Sequence, residues 1–201
     1  HCHTRRQRQM CIRDSFNNLQ DLPEIPDLAI IAIGDQRLEL VFNEIVTLKI
    51  KAAVIFSSLV LDDDEQPFLK ERLQKKISDS GILVCGANGM GFYNIRDNVW
   101  ACGFDSSSHY PPGNVSLISH SGSGMSGILD CEARLRFNFA VSTGNEHSVT
   151  MDQYLDFVLD LPETRVVGLF IETARNPDGF ILALKKARDK KIPIVALKVC
   201  L

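Results

Sequence analysis

One feature restricts the fold more than any other. Short apolar runs rich in β-branched residues alternate along the chain with stretches whose apolar residues fall three and four apart. Leu28-Ala29-Ile30-Ile31-Ala32-Ile33 is apolar throughout, as expected of a strand buried on both faces of a parallel sheet. Gly34 and Asp35 break it, and Leu38, Val41, Phe42, Ile45 and Leu48 then take helical spacing. Ala52 to Phe56 is the next predicted strand. Phe68, Leu69, Leu73 and Ile77 mark a second helix, and Ile82 to Val84 a third strand. This βαβ rhythm predicts an α/β fold with parallel sheets.

The texture changes between Gly86 and Asn114, which is rich in Gly, Asn, Ser and Pro. Phe104 to Gly113 reads as a connector that neither helix nor strand tolerates, and the domain boundary is placed there, separating residues 16–107 from 112–199. The rhythm then restarts. Strands are predicted at Val115–Ile118, Phe137–Val141, Val166–Ile171 and Ile194–Leu197. Helices are predicted near Gly124–Arg134, at Asp152–Leu159 and at Asp178–Lys190.

The ends have a different character. Residues 5–14 resemble the in-frame translation of a sequencing adapter, and Cys200-Leu201 the start of its reverse complement. Residues 1–15 and 200–201 are therefore read as non-native and set aside. Residues 1–15 carry four Arg and one Asp, so without them the formal charge moves from −3 to −6. A mildly acidic chain with no basic cluster offers no electrostatic footprint for nucleic acid or an anionic membrane. No apolar run reaches the roughly 18 to 20 residues that span a bilayer. Of the six cysteines, Cys85, Cys102 and Cys131 lie outside those ends. Their odd number and lack of CxxC spacing point to free thiols in a cytoplasmic protein, with no metal site. Asp62-Asp63-Asp64-Glu65 reads as a solvated turn before a helix rather than a metal cluster, because successive acids do not converge on one ion.

Chemistry concentrates at predicted strand ends. Val115 to Ile118 runs into Ser119-His120-Ser121-Gly122-Ser123-Gly124, with a helix following at once. Glycines admit close backbone approach, and hydroxyls with free N–H groups at a helix start suit a phosphate; a capped strand-turn-helix is the plain alternative. Glu172 ends the run Val166–Ile171, where ligands gather in open parallel sheets. A carboxylate there could accept one ring N–H of a histidine and leave the other nitrogen nucleophilic, or merely begin a surface loop. Thr143 and Asn145, in Ser142-Thr143-Gly144-Asn145-Glu146, could line the same crevice or form a turn. Gly86-Ala87-Asn88-Gly89 is a glycine-dense loop whose backbone could approach a ligand.

In combination and in this order, Ile118-Ser119-His120-Ser121-Gly122, Ser142 to Glu146, Leu161 to Val166 and Ile171-Glu172 resemble the NDP-forming acyl-CoA synthetases. These include ADP-forming acetyl-CoA synthetases, feruloyl-CoA synthetase-like enzymes and, more distantly, the succinyl-CoA synthetase α subunit. The resemblance implies the C-terminal part of a Rossmann-like CoA-binding domain followed by a flavodoxin-like domain. It also implies an activity in which ATP or GTP, held with Mg on an ATP-grasp domain or subunit outside this chain, phosphorylates a histidine. The phosphate passes to a carboxylic acid, and CoA attacks the acyl phosphate. By the same resemblance Ala32, Ile33, Gly34, Phe56, Ser57, Ser58, Gly86, Asn88 and Gly89 surround CoA. Ser119, Ser121, Gly122 and Ser123 cradle phosphate, Glu172 orients the phosphorylated histidine, and the intact protein is an oligomer.

Two motifs of the family are not in this sequence: the glycine-rich loop opening the CoA domain, and the Ser-His-x-Gly loop expected after Val199. His120 stands where relatives carry Gln or Arg, so it is read as an impostor for the nucleophile, and Ala87 replaces a usual Pro. His109 and His147 are read as loop histidines. The expected product is a ligase fragment, inactive alone. Two competing readings are a non-catalytic acyl-CoA-sensing module of a protein acetyltransferase and a nicotinamide-dependent oxidoreductase. The latter lacks the G-x-G-x-x-G fingerprint.

Overall fold

The computed structural model describes residues 15–105, 111–131 and 134–199. Residues 1–14 of the stretch 1–15 expected to be non-native, the middle of the expected connector with His109, and residues 200–201 lie outside the described residues.

Among the described residues there are nine strands and five α-helices, which alternate as the periodicity predicts except between Leu83 and Ser119, where four strands follow one another. They are β1 (Leu28–Ile31), α1 (Asp35–Thr47), β2 (Ala52–Ile55), α2 (Leu69–Ser80) and β3 (Leu83–Gly86), then β4 (Gly91–Asn94), β5 (Val99–Cys102), β6 (Val115–Ser119) and α3 (Gly122–Cys131). The chain continues with β7 (Phe137–Ser142), α4 (Met151–Asp160), β8 (Val166–Ile171), α5 (Pro177–Asp189) and β9 (Ile194–Lys198). Strands β1, β2 and β3 pair in parallel in that order, and the second sheet runs β5-β4-β7-β6-β8-β9. Its members β7, β6, β8 and β9 are parallel, whereas β4 and β5 form an antiparallel hairpin on the β7 edge.

That hairpin differs from the expected irregular stretch. Gly91 lies opposite Ser142 and Asn94 opposite Phe139, so the second sheet begins at Gly91, earlier along the chain than the connector. The backbone of β4 is satisfied here by long-range pairing with β7 as well as with β5, which local composition does not reveal. The glycine at position 91 is required: its φ is +82°, and a Cβ would meet the Ala101 carbonyl oxygen at 2.0 Å.

A second correction concerns β1. It is the edge strand of its sheet, and Ile30 is half exposed, so the strand is not buried on both faces. Leu38, Phe42 and Ile45 of α1 and Leu69, Leu73 and Ile77 of α2 cover the other face, against Ile31, Ala53, Ile55 and Val84. On the Ile30 side, Val54 and Cys85 join a core shared with Ile118, Phe139, Met151, Leu155, Val158 and Leu169. Period-two alternation along β2 thus sends Ala53 and Ile55 into one core and Val54 into the other. The two sheets therefore share apolar packing, and each buried side chain of this size contributes up to about 1.5–3 kcal/mol.

Helix starts follow capping rules. Gln153 reaches back to accept the Thr150 N–H at 3.0 Å, and Asn176 Oδ1 accepts the Gly179 N–H at 3.2 Å with Pro177 at the first turn. Inside the second sheet a buried polar triangle joins Ser116, Asn138 and Thr164, with contacts of 2.7, 2.8 and 3.0 Å. Among the described residues no helix is long and apolar enough to cross a membrane, and no group of three or more His, Cys, Asp or Glu is placed to hold a metal. Asp64, in the acidic turn, accepts the Leu69 N–H at 2.8 Å and pairs with Arg72 at 3.3 Å.

Candidate functional site

In a parallel sheet every carboxyl end lies on one edge, and both sheets bring the predicted residues to that edge. In the second sheet β6 lies between β7 and β8. The register pairs Ser119 with Phe170, which puts Ser121 two residues beyond the end of β6 and Glu172 one residue beyond the end of the adjacent β8. Backbone bonds extend the register: His120 N–H donates to Phe170 O at 3.1 Å, and Thr143 N–H to Ser119 O at 2.8 Å.

The serine loop is a compact hydrogen-bonded turn. Ser119 is buried, and its hydroxyl donates to Ser121 O at 2.7 Å, so it shapes the turn rather than facing outward. Ser121 Oγ accepts the Gly124 N–H at 3.1 Å and lies 3.3 Å from Ser123 Oγ. These two hydroxyls stand at the first turn of α3, where backbone N–H groups have no intrahelical acceptor and the macrodipole favours an anion. A Cβ at Gly122 would meet Met90 Cγ at 2.3 Å, so the glycine there serves contact with the β3–β4 loop.

Glu172 directly follows β8 with an exposed side chain, and its N–H donates to His120 Nδ1 at 3.3 Å. Its carboxylate and the serine hydroxyls therefore sit at neighbouring strand ends on one edge. Thr143, by contrast, is fully buried, with its hydroxyl among the unpartnered buried atoms, so it underlies the crevice instead of lining it. Asn145 lines a cleft of about 680 Å³ between α2 and the β7–α4 loop, together with Lys70, Gln74, Glu146, His147 and Arg175.

Sequence reasoning passed over the most buried charge of the region. Glu146 is 5% exposed, is held at a φ of +53°, and lies with Oε1 3.1 Å from His120 Nε2 and Oε2 3.8 Å from Arg175 Nε. His120 is itself 4% exposed. A ring enclosed in this way has no open approach for a phosphoryl donor among the described residues. The signal available in the sequence was an acid at the end of one predicted strand and a histidine at the end of another. Only the adjacency of β6 and β7 turns that into a pair. His147 is also buried. Its Nδ1 lies 2.7 Å from Gln74 Oε1, while burial first and then the charges of Lys70 and Arg175 hold its pKa down at about 4.

In the first sheet, Ala32, Ile33 and Gly34, then Phe56, Ser57 and Ser58, then Gly86, Asn88 and Gly89 end or follow β1, β2 and β3, which brings all nine to one edge. Ser57 Oγ donates to Ile33 O at 2.7 Å and Ser58 Oγ to Asp35 Oδ2 at 2.9 Å, tying the first two loops together. Phe56 packs towards the hairpin: its ring lies 3.0 Å from where a Cβ on Gly91 would sit. The glycines of the third loop serve packing between backbones. A Cβ at Gly86 would meet Ile55 O at 2.3 Å, and one at Gly89 would meet Ser142 O at 2.7 Å. The loop is clasped to the second sheet by Asn145 N–H to Ala87 O at 2.7 Å and His147 N–H to Gly86 O at 3.2 Å.

Comparison with known proteins places this geometry among relatives. Residues 112–200 match the succinyl-CoA ligase-like flavodoxin domain. The chain is 30% identical to an ADP-forming acetate–CoA ligase of Methanocaldococcus jannaschii, over 91% of this chain and 26% of the relative. A crystal structure of a protein from Pyrococcus horikoshii OT3 superposes with a TM-score of 0.78 at 25% identity, covering 92% of this chain and 42% of that one. The dinucleotide-forming acetyl-coenzyme A synthetase 1 of Ca. Korarchaeum cryptofilum, solved with phosphate and ADP, shares the fold with a TM-score of 0.77 at 23% identity, covering 91% and 39%. The chain spans about a quarter of the length of the curated relatives it matches first.

Proposed function

This chain belongs to the NDP-forming acyl-CoA synthetase family, and from that premise we propose that it supplies the CoA-facing sheet and the phosphohistidine-handling sheet of such a ligase. The enzyme so assembled joins a carboxylic acid to CoA while ATP or GTP is cleaved to NDP and phosphate. One observation carries this reading: Ser121, Ser123 at the start of α3, and Glu172 stand just past the carboxyl ends of the adjacent parallel strands β6 and β8.

In the proposed reaction Ser121, Ser123 and the first-turn N–H groups of α3 receive the phosphoryl oxygens of a phosphorylated histidine. Charge of that sign is favoured at a helix start and is stabilised by donors fixed before it arrives. Glu172 accepts the distal ring N–H of that histidine, which orients the ring and leaves its other nitrogen free to take and release phosphate. Proton and phosphate thus sit on opposite nitrogens of one ring. The carboxylate is held away from the phosphoryl group by the imidazole between them. Loops after β1, β2 and β3 provide Ala32–Gly34, Phe56–Ser58, Gly86, Asn88 and Gly89 for CoA. The nucleotide and its Mg belong to an ATP-grasp domain or subunit, a partner of this chain in a cytoplasmic, oligomeric enzyme.

The test uses a longer form of the protein that includes a Ser-His-x-Gly loop and an ATP-grasp module. With ATP labelled on its terminal phosphate, the unaltered protein is expected to acquire acid-labile, base-stable label on histidine, and Glu172→Gln to reduce it at least a hundredfold. Undiminished labelling in that variant would refute the role given to Glu172. The 201-residue chain alone is expected to form no acyl-CoA from ATP, acid and CoA.

A further inference from the structure

Almost all of the buried polar atoms that lack a hydrogen-bond partner among the described residues cluster in one place. His120 Nε2, Ser142 Oγ, Thr143 Oγ1, both carboxylate oxygens of Glu146 and His147 Nε2 lie at the ends of β6 and β7. At the centre, His120 and Glu146 face each other at 3.1 Å, with side chains 2% and 0% exposed. Burying a carboxylate is costly unless it is paired. Holding a non-glycine residue at the left-handed φ of Glu146 adds backbone strain. No step of the proposed reaction uses either residue.

The other ring nitrogen of His120 shows what the pair can do. Nδ1 stands between two groups from the end of β8: the Glu172 N–H at 3.3 Å and the Phe170 carbonyl oxygen at 3.4 Å. It can satisfy only one of them. With the proton on Nε2, the Nδ1 lone pair accepts from Glu172. With a proton on Nδ1, the ring donates to Phe170 O and leaves the Glu172 amide without its acceptor. Phe170 O already accepts the backbone N–H of His120 at 3.1 Å, whereas Nδ1 is the acceptor the structure gives to the Glu172 N–H. Glu146 Oε1 lies 3.1 Å from Nε2, an approach that favours a proton on that nitrogen although the two atoms do not meet hydrogen-bond angles in this structure. Arg175, three residues beyond Glu172, places its Nε 3.8 Å from the second carboxylate oxygen.

We propose that His120 and Glu146 are positioning residues that fix the backbone of Glu172 through a single selected imidazole tautomer. The proposal rests on the role given to Glu172 above and deepens it. A carboxylate at a strand end can orient another ring only if its own main chain is held, and the buried pair holds it from beneath. A carboxylate 3.1 Å from one ring nitrogen and an amide hydrogen-bonded to the other connect Glu146 through the ring to Glu172. Second partners of this kind fix ring orientation where a histidine ligates a metal, and the same logic applies to a histidine that anchors a backbone.

The experiment needs no ligase activity. Ring nitrogens of the ¹⁵N-labelled 201-residue chain are read by long-range proton–nitrogen correlation, together with exchange of the Glu172 amide. His120 is expected as the Nε2–H tautomer, with a coupling across the hydrogen bond from Glu172 N to Nδ1. Glu146→Ala is expected to lower the Nε2–H to Nδ1–H ratio at least tenfold. His120→Phe should accelerate exchange of the Glu172 amide at least tenfold, with His120→Gln, which keeps an acceptor, restoring most of the protection. A dominant Nδ1–H tautomer in the unaltered chain would overturn the proposal even if every variant failed to fold. So would unchanged Glu172 exchange in a folded His120→Phe variant. Loss of the ligase reading would show separately, as histidine labelling that survives Glu172→Gln while the tautomer is as described.

Discussion

Acid should loosen this protein through one identifiable group. His147 is buried, its pKa is lowered from 6.5 to about 4, and the cause is first burial and then the positive charges of Lys70 and Arg175. In the folded chain the ring stays neutral. In the unfolded chain it takes up a proton near pH 6.5. Between those values the unfolded state binds more protons, so stability falls as pH falls from about 6.5 to about 4 and changes no further from this source below that. The full difference corresponds to about 3 kcal/mol, a large fraction of the roughly 5–15 kcal/mol available to a folded domain. With a urea dependence of about 2 kcal/mol per M, it moves the unfolding midpoint by about 1.5 M. The assay is urea unfolding of the 201-residue chain from pH 7.5 to 4, beside His147→Asn. Buried carboxylates titrate in both proteins, so the difference between their pH slopes isolates the histidine. The variant is expected to lose the component between pH 6.5 and 4, and Lys70→Gln to move its midpoint towards 6.5. Parallel curves for the unaltered chain and His147→Asn would refute the reasoning.

Three further outcomes follow from packing and burial. Gly144→Ala should destabilise the chain by at least about 2 kcal/mol, because φ is +58° and a Cβ would meet Ala87 O at 2.2 Å. Gly81→Ala, at a φ of +69° with nothing within 4 Å, should cost only about 1–2 kcal/mol, and equal losses in thermal unfolding would dismiss the close approach at Gly144. Asn138→Leu strands Ser116 and Thr164 and should cost about 2–3 kcal/mol, partly recovered when Ser116→Ala and Thr164→Val are added; a urea midpoint unmoved by Asn138→Leu would contradict the buried triangle. The Cys85 thiol, pushed up to about 11 chiefly by burial, should resist alkylation at pH 8 until denaturant is added, and rapid native-state modification by mass spectrometry would show that it is open to solvent.

The periodic elements were legible because each carries its own signal. An unbroken run such as Val166–Ile171, or the spacing of Leu155, Val158 and Leu159, reports burial without knowledge of any partner. The β4–β5 hairpin carries no such signal. Gly91-Phe92-Tyr93-Asn94 becomes a strand only through its register on β7, and Asn98 turns the chain at a φ of +56°. The half exposure of Ile30 was invisible for the same reason, since an edge strand and a central one can have the same composition. At the candidate site the turn residues Ser121 and Ser123 and the strand-ending Glu172 were readable, because strand, turn and helix adjoin in sequence. Glu146 was not. Its meaning depends on His120, 26 residues earlier by number and reachable only across two neighbouring strands.

The same long-range dependence explains why two sheets can serve one reaction. Asn88 N–H donates to Ser57 O at 2.8 Å, Asn145 N–H to Ala87 O at 2.7 Å, and Thr143 N–H to Ser119 O at 2.8 Å. Backbone bonds therefore link the loop after β2, the loop after β3, the turn after β7 and the end of β6. At each link the chain is pinned by main-chain atoms, which lack the rotamer freedom of side chains. Gly89 and Gly144 let the two backbones come together where any side chain would hold them apart. On the proposed reading this line runs from the CoA loops to the phosphate loop, so the separation between thiol and phosphoryl group is set when the chain folds, not when substrates bind. Shared packing of Val54 and Cys85 with Ile118 and Leu155 opposes hinge motion between the sheets. On the proposed reading, what moves during turnover is then a segment outside this unit, and a mobile histidine loop carrying phosphate to a fixed cradle is the arrangement that such rigidity would suit.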